Sequence, residues 1–186
     1  EVHGLEHWTH FYTDYGVGLQ RRFFDFFLKQ EDTGWSGQPK VQLQIRHPGE
    51  KFVERHEDEW PIARTEWVKL YLDTADSALG LTHANQADSS AYLANSDGLT
   101  FLTPPLKEAI EVTGPIASKL FISSSTEDAD LFLIVRVFTP DMKEVTFQGS
   151  NDPHTPIALG WLRASHRKLD CQQSVEYRPY HTHDEV

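Results

Sequence analysis

The stretch that most constrains this chain is Asp130–Phe138, DLFLIVRVF. Read as an extended strand, it puts Leu131, Leu133, Val135 and Val137 on one face and Phe132, Ile134 and Phe138 on the other. A run that is apolar on both faces and rich in β-branched and aromatic residues predicts a central strand covered from both sides. A buried helix is the rival for so short a run. Ser123-Ser124-Ser125 upstream and Thr139-Pro140-Asp141 downstream leave room for about one strand, which decides the matter. This is a scaffold, so chemistry has to be sought elsewhere.

The pattern around it is mostly of the same kind. Val41, Leu43 and Ile45 alternate with Gln42, Gln44 and Arg46, as in a half-buried strand. Trp67–Leu72, Leu99–Leu102, Ile110–Thr113, Ile116–Ser123 and Ala158–Ala164 are further strand-like runs, and 73–98 is a polar excursion with room for one short strand. Pro140-Asp141-Met142-Lys143 reads as a hairpin turn that returns Glu144–Gln148 against the central run. Seven or eight short strands, mostly antiparallel by loop length, predict a mainly β chain built as a β-sandwich or jelly roll. The exception lies near the start. From Tyr15 to Lys29, Leu19, Phe23, Phe26 and Phe27 recur at helical spacing, with Phe24 and Leu28 widening the stripe and Asp14 as a candidate N-cap. A helix this apolar needs more protein to pack against than this chain supplies. Thr33–Pro39, TGWSGQP, then breaks regularity and marks a boundary.

Composition narrows the partners. The 186 residues carry 17 Lys and Arg against 28 Asp and Glu, a formal charge of −11, which argues against nucleic acid and anionic membranes. No apolar run approaches the roughly 20 residues that span a bilayer. Cys171 is the one cysteine, so no intrachain disulfide is available, and a lone thiol is ordinarily a small packed residue. The compartment is left open, with the cytoplasm favoured.

Four places could carry chemistry. His3, His7 and His10 crowd a Gly-containing aromatic loop, HGLEHWTH, just ahead of the helix. Imidazole suits proton transfer near neutrality, and such a loop is where α/β-hydrolases place a base; exposed loop histidines are the ordinary alternative. A metal site through the three is weaker, because their spacing matches no known ligand pattern. Glu54–Trp60, ERHEDEW, reads as a solvated charged connection between strands. Ser165 and His166 are adjacent, and on an extended segment they point apart, so they form no nucleophile–base pair; the three basic residues of Gly160–Asp170 are expected to pair with acidic groups at an interface. Asp128-Ala129-Asp130 lacks the rest of a calcium loop. There is no Gly-x-Ser-x-Gly elbow, phosphate-binding loop or dinucleotide fingerprint, and neither metal nor cofactor is expected.

Taken in order, HGLEHW (3–8), RRFFDFFLKQEDTGW (21–35), VQLQIRHPGEKFVERHEDEWPIARTEW (41–67), DADLFLIVRVFTPDMKEVTFQG (128–149) and GWLRASHRKLD with YRPYHTHDE (160–185) resemble the C-terminal part of the X-prolyl dipeptidyl-peptidase-like serine hydrolases, which include cocaine esterases and α-amino-acid ester hydrolases. The resemblance implies that 1–34 are the last loop and helix of an α/β-hydrolase domain. It further implies that 35–186 form a galactose-binding-like jelly roll whose remaining strands follow the YRPYHTHDE segment, so the jelly roll here is incomplete. His7 best matches the histidine of that family's Ser-Asp-His triad. The family often has four residues from the glycine to this histidine, whereas Gly4 to His7 is three, which keeps His3 as a lesser candidate. Cys171 stands where the family often has proline. The triad serine and aspartate have no counterpart in the chain.

The expectation is therefore the C-terminal portion of a serine hydrolase of esters or amides, including X-Pro dipeptidyl bonds, inactive as this chain alone. Its partners would be a small-molecule or peptide substrate of the full enzyme and its own catalytic domain, with a homo-oligomer left open. The alternatives are a carbohydrate-binding module, using Trp35, Trp60, Trp67 and Trp161, and a purely structural or oligomerising β-sandwich.

Overall fold

The structure, a computed structural model, describes residues 10–83, 87–149 and 152–184. It is mainly β, with one α-helix, three short 3-10 turns and eight strands among the described residues. The chain divides into two compact units, Glu1–Ala63 with Pro115–Val186 and Arg64–Gly114.

In the first unit, helix α1 spans Asp14–Lys29. Its N-cap is Thr13, not Asp14: the Thr13 hydroxyl accepts from the Gly16 amide at 3.3 Å, and Asp14 becomes the first helical residue, where its charge suits the helix dipole. Gln30 ends the helix in a left-handed conformation. After the 3-10 turn Trp35–Gly37, β1 (Val41–His47) and β2 (Lys51–Glu57) pair antiparallel, with His47 opposite Lys51. The turn between them contains Pro48 and Gly49, and Gly49 takes the positive φ of +82° that the reversal needs. This corrects the reading of Glu54–Trp60 as a connection. Glu54–Glu57 belong to a strand, and the Pro-Gly dipeptide was the turn signal that would have located it.

The central run does not behave as one strand either. Asp130–Val135 (β5) pairs antiparallel with Ala158–Arg163 (β8), while Val137–Phe138 (β6) pairs with Glu144–Val145 (β7). The chain changes partner at Arg136, so the β6–β7 hairpin is nested between β5 and β8. The expected turn is present: Met142 at φ 63° donates to the Thr139 carbonyl, and the Thr139 amide donates to the Lys143 carbonyl. Beyond β7, Phe147 bridges Thr155 in both directions. Close by, a Cβ on Gly149 would meet the Thr155 methyl and the Asp152 carbonyl, so the backbone there admits only glycine.

In the second unit β3 (Tyr71–Asp73) pairs antiparallel with β4 (Ala78–Gly80), and Leu102 adds a single parallel bridge to Ala78. The strand expected over Trp67–Leu72 therefore survives only at its end, and that over Leu99–Leu102 only at Leu102. Ile110–Thr113 and Ile116–Ser123 are in no ladder. Alternating hydrophobicity marks two faces, but a strand also needs a neighbouring backbone, and none lies alongside them among the described residues.

Burial is sparse. Among the described residues, Ile62 at 7% and Phe147 at 5% exposure are the buried hydrophobic side chains. The double cover predicted for the 130–138 run is absent in this chain: Leu131 and Val135 are half-buried, while Phe132 is 74% exposed, and Leu133 and Ile134 are exposed.

Candidate functional site

The histidine proposed as a base from sequence, His7, and its lesser candidate His3 lie outside the described residues, as do Glu6 and Trp8. The segment they precede is described: a 3-10 turn, His10–Tyr12, leads into α1. Near the helix start, partial burial and then the charge of Glu54 on β2 push the Tyr15 phenol above its usual range.

The helix has two apolar sides. Phe23 and Phe27 meet Trp35, with ring centroids 5.2 and 6.4 Å apart, and Leu19 and Phe26 are half-buried. Val17, Phe24 and Leu28, at i, i+7 and i+11, make a second stripe that is exposed. Arg22 fastens the helix to the turn that follows it. Its guanidinium donates to Gln38 Oε1 at 2.8 Å and to the Thr33 carbonyl at 3.4 Å, and lies 6.0 Å from the Trp35 ring centre, while Thr33 Oγ1 donates back to the Arg22 carbonyl at 2.9 Å. Trp35 is thus a packing residue and leaves the set of tryptophans free to meet a glycan.

On β2 the charged run resolves into pairs on alternate faces: His56 Nε2 lies 2.7 Å from Glu54 Oε1, and Arg55 Nε 2.8 Å from Glu57 Oε1. Residues i and i+2 share one face of the strand, as a period of two dictates, so each basic side chain lies beside its acid. Among the described residues no group of three or more His, Cys, Asp or Glu side chains is arranged to hold a metal ion. Cys171 is exposed, which corrects the expectation that it is packed.

The structure brings two of the sequence candidates together. Asp128 and Asp130 sit at the start of β5, and Arg163 and Ser165 at the end of its partner β8 and in the 3-10 turn Ala164–His166 beyond it. Antiparallel register places Asp130 opposite Arg163, which grips it through two bonds of 2.7 and 2.9 Å. Ser165 donates its hydroxyl to Asp128 Oδ2 at 2.6 Å and its amide to Oδ1 at 3.0 Å. The Ser165 hydroxyl holds the Asp128 carboxyl below its ordinary range, and the Arg163 guanidinium does the same for Asp130. Arg163 is raised in turn, first by its hydrogen bond to Asp130. A carboxylate stabilised in this way is a weak base, so Ser165 is not primed as a nucleophile. Neither calcium corner nor catalytic pair, the cluster is a clasp that ends the β5–β8 ladder. The expectation that Ser165 and His166 lie on an extended segment is corrected by the 3-10 turn; the acids that Arg163 and Lys168 meet belong to this chain and not to an interface, Asp130 for Arg163 and, at 3.2 Å, Asp184 for Lys168. An open groove of about 470 Å³ runs beside the clasp, lined by Leu120, Phe121, Ile122, Glu127 and Arg167 among others. Its Ser165 and Asp128 are already paired with each other.

One feature of the same ladder has no polar partner. Register places Phe132 opposite Trp161 and Ile134 opposite Leu159, so the four share one face. All are exposed, Phe132 by 74% and Trp161 by 76%. The sequence marked Phe132 and Ile134 as needing cover; Trp161 and Leu159 join them only once the pairing is known.

Comparison with known proteins accounts for this mixture of satisfied polar groups and bare apolar faces. The family described as X-Pro dipeptidyl-peptidase C-terminal non-catalytic domain matches residues 33–180. Cocaine esterase from Rhodococcus sp. (strain MB1 Bresler) is 25% identical over 166 residues, covering 68% of this chain and 28% of the esterase. Two crystal structures of a CocE/NonD family hydrolase from Staphylococcus aureus superpose with a TM-score of 0.77 at 25% identity, covering 96% of this chain and 33% of that one. The chain thus spans about a third or less of the length of these relatives.

Proposed function

The chain belongs to the X-Pro dipeptidyl-peptidase C-terminal non-catalytic domain family, and from that premise we propose that it is the C-terminal portion of a serine hydrolase that cleaves ester or amide bonds by acyl transfer. The observation that carries this is the boundary of the match. The non-catalytic family begins at residue 33, just after α1, while the likeness to solved hydrolases takes in 96% of the chain. Residues 1–34 are then the C-terminal part of the α/β-hydrolase domain, and 35–186 a galactose-binding-like jelly roll.

In this reading the two bare apolar surfaces are contacts. The Val17/Phe24/Leu28 stripe of α1 packs on the catalytic domain to which the helix belongs. Burying each such side chain contributes on the order of 1.5–3 kcal/mol, enough for the hydrolase and its β portion to form one folded body. His7 is the general base toward a serine elsewhere in the polypeptide, and then the general acid toward the leaving group. The test is made in the polypeptide that contains both the chain and the serine. His7→Ala is expected to lower kcat for p-nitrophenyl esters by ~10³-fold or more. Unchanged turnover in His7→Ala with loss in His3→Ala would move the role to His3, and unchanged turnover in both would overturn the assignment.

A structural or oligomerising role without catalysis is favoured by one observation, the exposed Phe132/Trp161 pair, which would serve a second copy as well as a catalytic domain. Sedimentation of the chain with and without its hydrolase part separates the two: self-association that persists in the presence of the hydrolase part supports this second role.

A further inference from the structure

Helix α1 is capped by Thr13 and carries the Arg21–Asp25–Lys29 ion pairs, yet it is marginal on its own. It is 16 residues long and carries Gly16 and Gly18, each costing about 1 kcal/mol relative to alanine, and isolated helices of this length are marginal in water. Its second stripe, Val17/Phe24/Leu28, is largely exposed, and Phe24 stands edge-on to Phe23 of the same helix. What anchors it is the Thr33–Gln38 segment, and the anchor is compact. Arg22 binds Gln38 and the Thr33 carbonyl, Thr33 binds the Arg22 carbonyl, and the Trp35 ring stands edge-on to Phe23 and beneath the Arg22 guanidinium. These bonds span 11 and 16 residues of sequence and close the loop across the start of the family match at residue 33. Arg22 suits the task because its planar fork serves two acceptors with its charge over the indole ring, at 6.0 Å from the ring centre, which a lysine's single ammonium does not match.

We propose that the Arg22–Thr33–Trp35–Gln38 cluster is a latch that makes α1 one cooperative unit with the first turn of the β portion. The orientation in which α1 meets the first turn of the β portion is then set by this chain rather than by its partner. The latch rests on the hydrolase reading only for what lies on either side of it. Exchange is read on the chain itself, so latch and hydrolase assignment can fail separately.

Hydrogen exchange by mass spectrometry on the 186-residue chain tests it, following peptides that cover 14–29, β1–β2 and β5–β8 separately. Arg22→Ala and Trp35→Ala are expected to speed exchange across 14–29 by roughly tenfold or more, because local opening no longer breaks the latch, while the two β ladders stay within about twofold of the parent chain. Trp35→Phe, which keeps a ring against Phe23, is expected to retain most of the protection. Helix exchange unchanged in Arg22→Ala and Trp35→Ala would overturn the latch. So would an equal rise in all three regions, which would mean that the substitutions weaken the whole fold, and so would a loss in Trp35→Phe as large as in Trp35→Ala.

Discussion

One end and one face of a single ladder differ in what they ask of the rest of the protein. At the turn end of β5–β8, Asp128, Asp130, Arg163 and Ser165 satisfy one another within 3.0 Å, and nothing from outside is needed. On the face of the same two strands, Phe132, Ile134, Leu159 and Trp161 stand exposed. Polar groups must find partners wherever they are, because an unpaired hydrogen bond costs even a partial fold. Apolar surface can wait for a neighbour, and contiguous patches of it on a soluble chain mark an interface. A ladder that completes its polar bonds at one end and leaves an apolar face bare is built to meet more protein.

The contrast can be broken first at its buried extreme. Phe147, 5% exposed and lying under the Arg46 guanidinium, is one of the few residues with cover of its own. Phe147→Ala is expected to cost about 3 kcal/mol in denaturant unfolding, the cost of emptying an aromatic site in a core with little else to refill it. An effect under about 1 kcal/mol would mean that the surroundings are looser than the geometry states.

The clasp gives an effect of intermediate size and a definite sign with pH. Asp128 and Asp130 have folded pKa values below the unfolded value of about 3.9, so their contribution is complete above that pH and is lost as pH falls through the lowered folded values. Protection of the Ser165 amide is expected to be flat from about pH 8 to 5 and to fall in acid below about pH 4. Asp128→Asn should weaken it at neutral pH and flatten its acid dependence. A loss centred near pH 6 would point to the nearby imidazoles instead.

The bare face should give the smallest change in stability. Phe132→Ala and Trp161→Ala are each expected to shift the unfolding free energy of the chain by no more than about 0.5 kcal/mol, in contrast to Phe147→Ala. Both should lower the binding of an apolar dye and, in the longer polypeptide, weaken attachment to whatever covers them. A large loss of stability in the chain alone would show that the face is already covered.

The sequence made some of this legible and hid the rest for physical reasons. The helix and its end near Lys29, the antiparallel pairing, the turn at Pro140–Lys143 and the return of Glu144 are local, and local chemistry predicts them. The partner of Asp130–Val135 is not local: it lies across the nested β6–β7 hairpin, and no periodicity says that Trp161 faces Phe132. The same is true of the clasp. Asp128-Ala129-Asp130 and Arg163-Ala164-Ser165 were each visible as separate motifs, one suggesting a cation and the other a nucleophile, and only register shows that they neutralise one another. The double cover predicted for the central run came from reading apolarity as burial; apolarity records what a strand requires, and this chain does not hold all of it. β2 was passed over because its charges obscured its period, although Pro48-Gly49 marked the turn. For His7, likeness of motif is the argument, and its geometry lies outside the described residues.

The central claim, that this is the non-catalytic C-terminal part of a larger hydrolase, is tested most directly by measuring p-nitrophenyl ester turnover on the purified 186-residue chain. The account predicts a rate no greater than that of the heat-denatured chain. Saturable turnover abolished by a serine-directed reagent would contradict it.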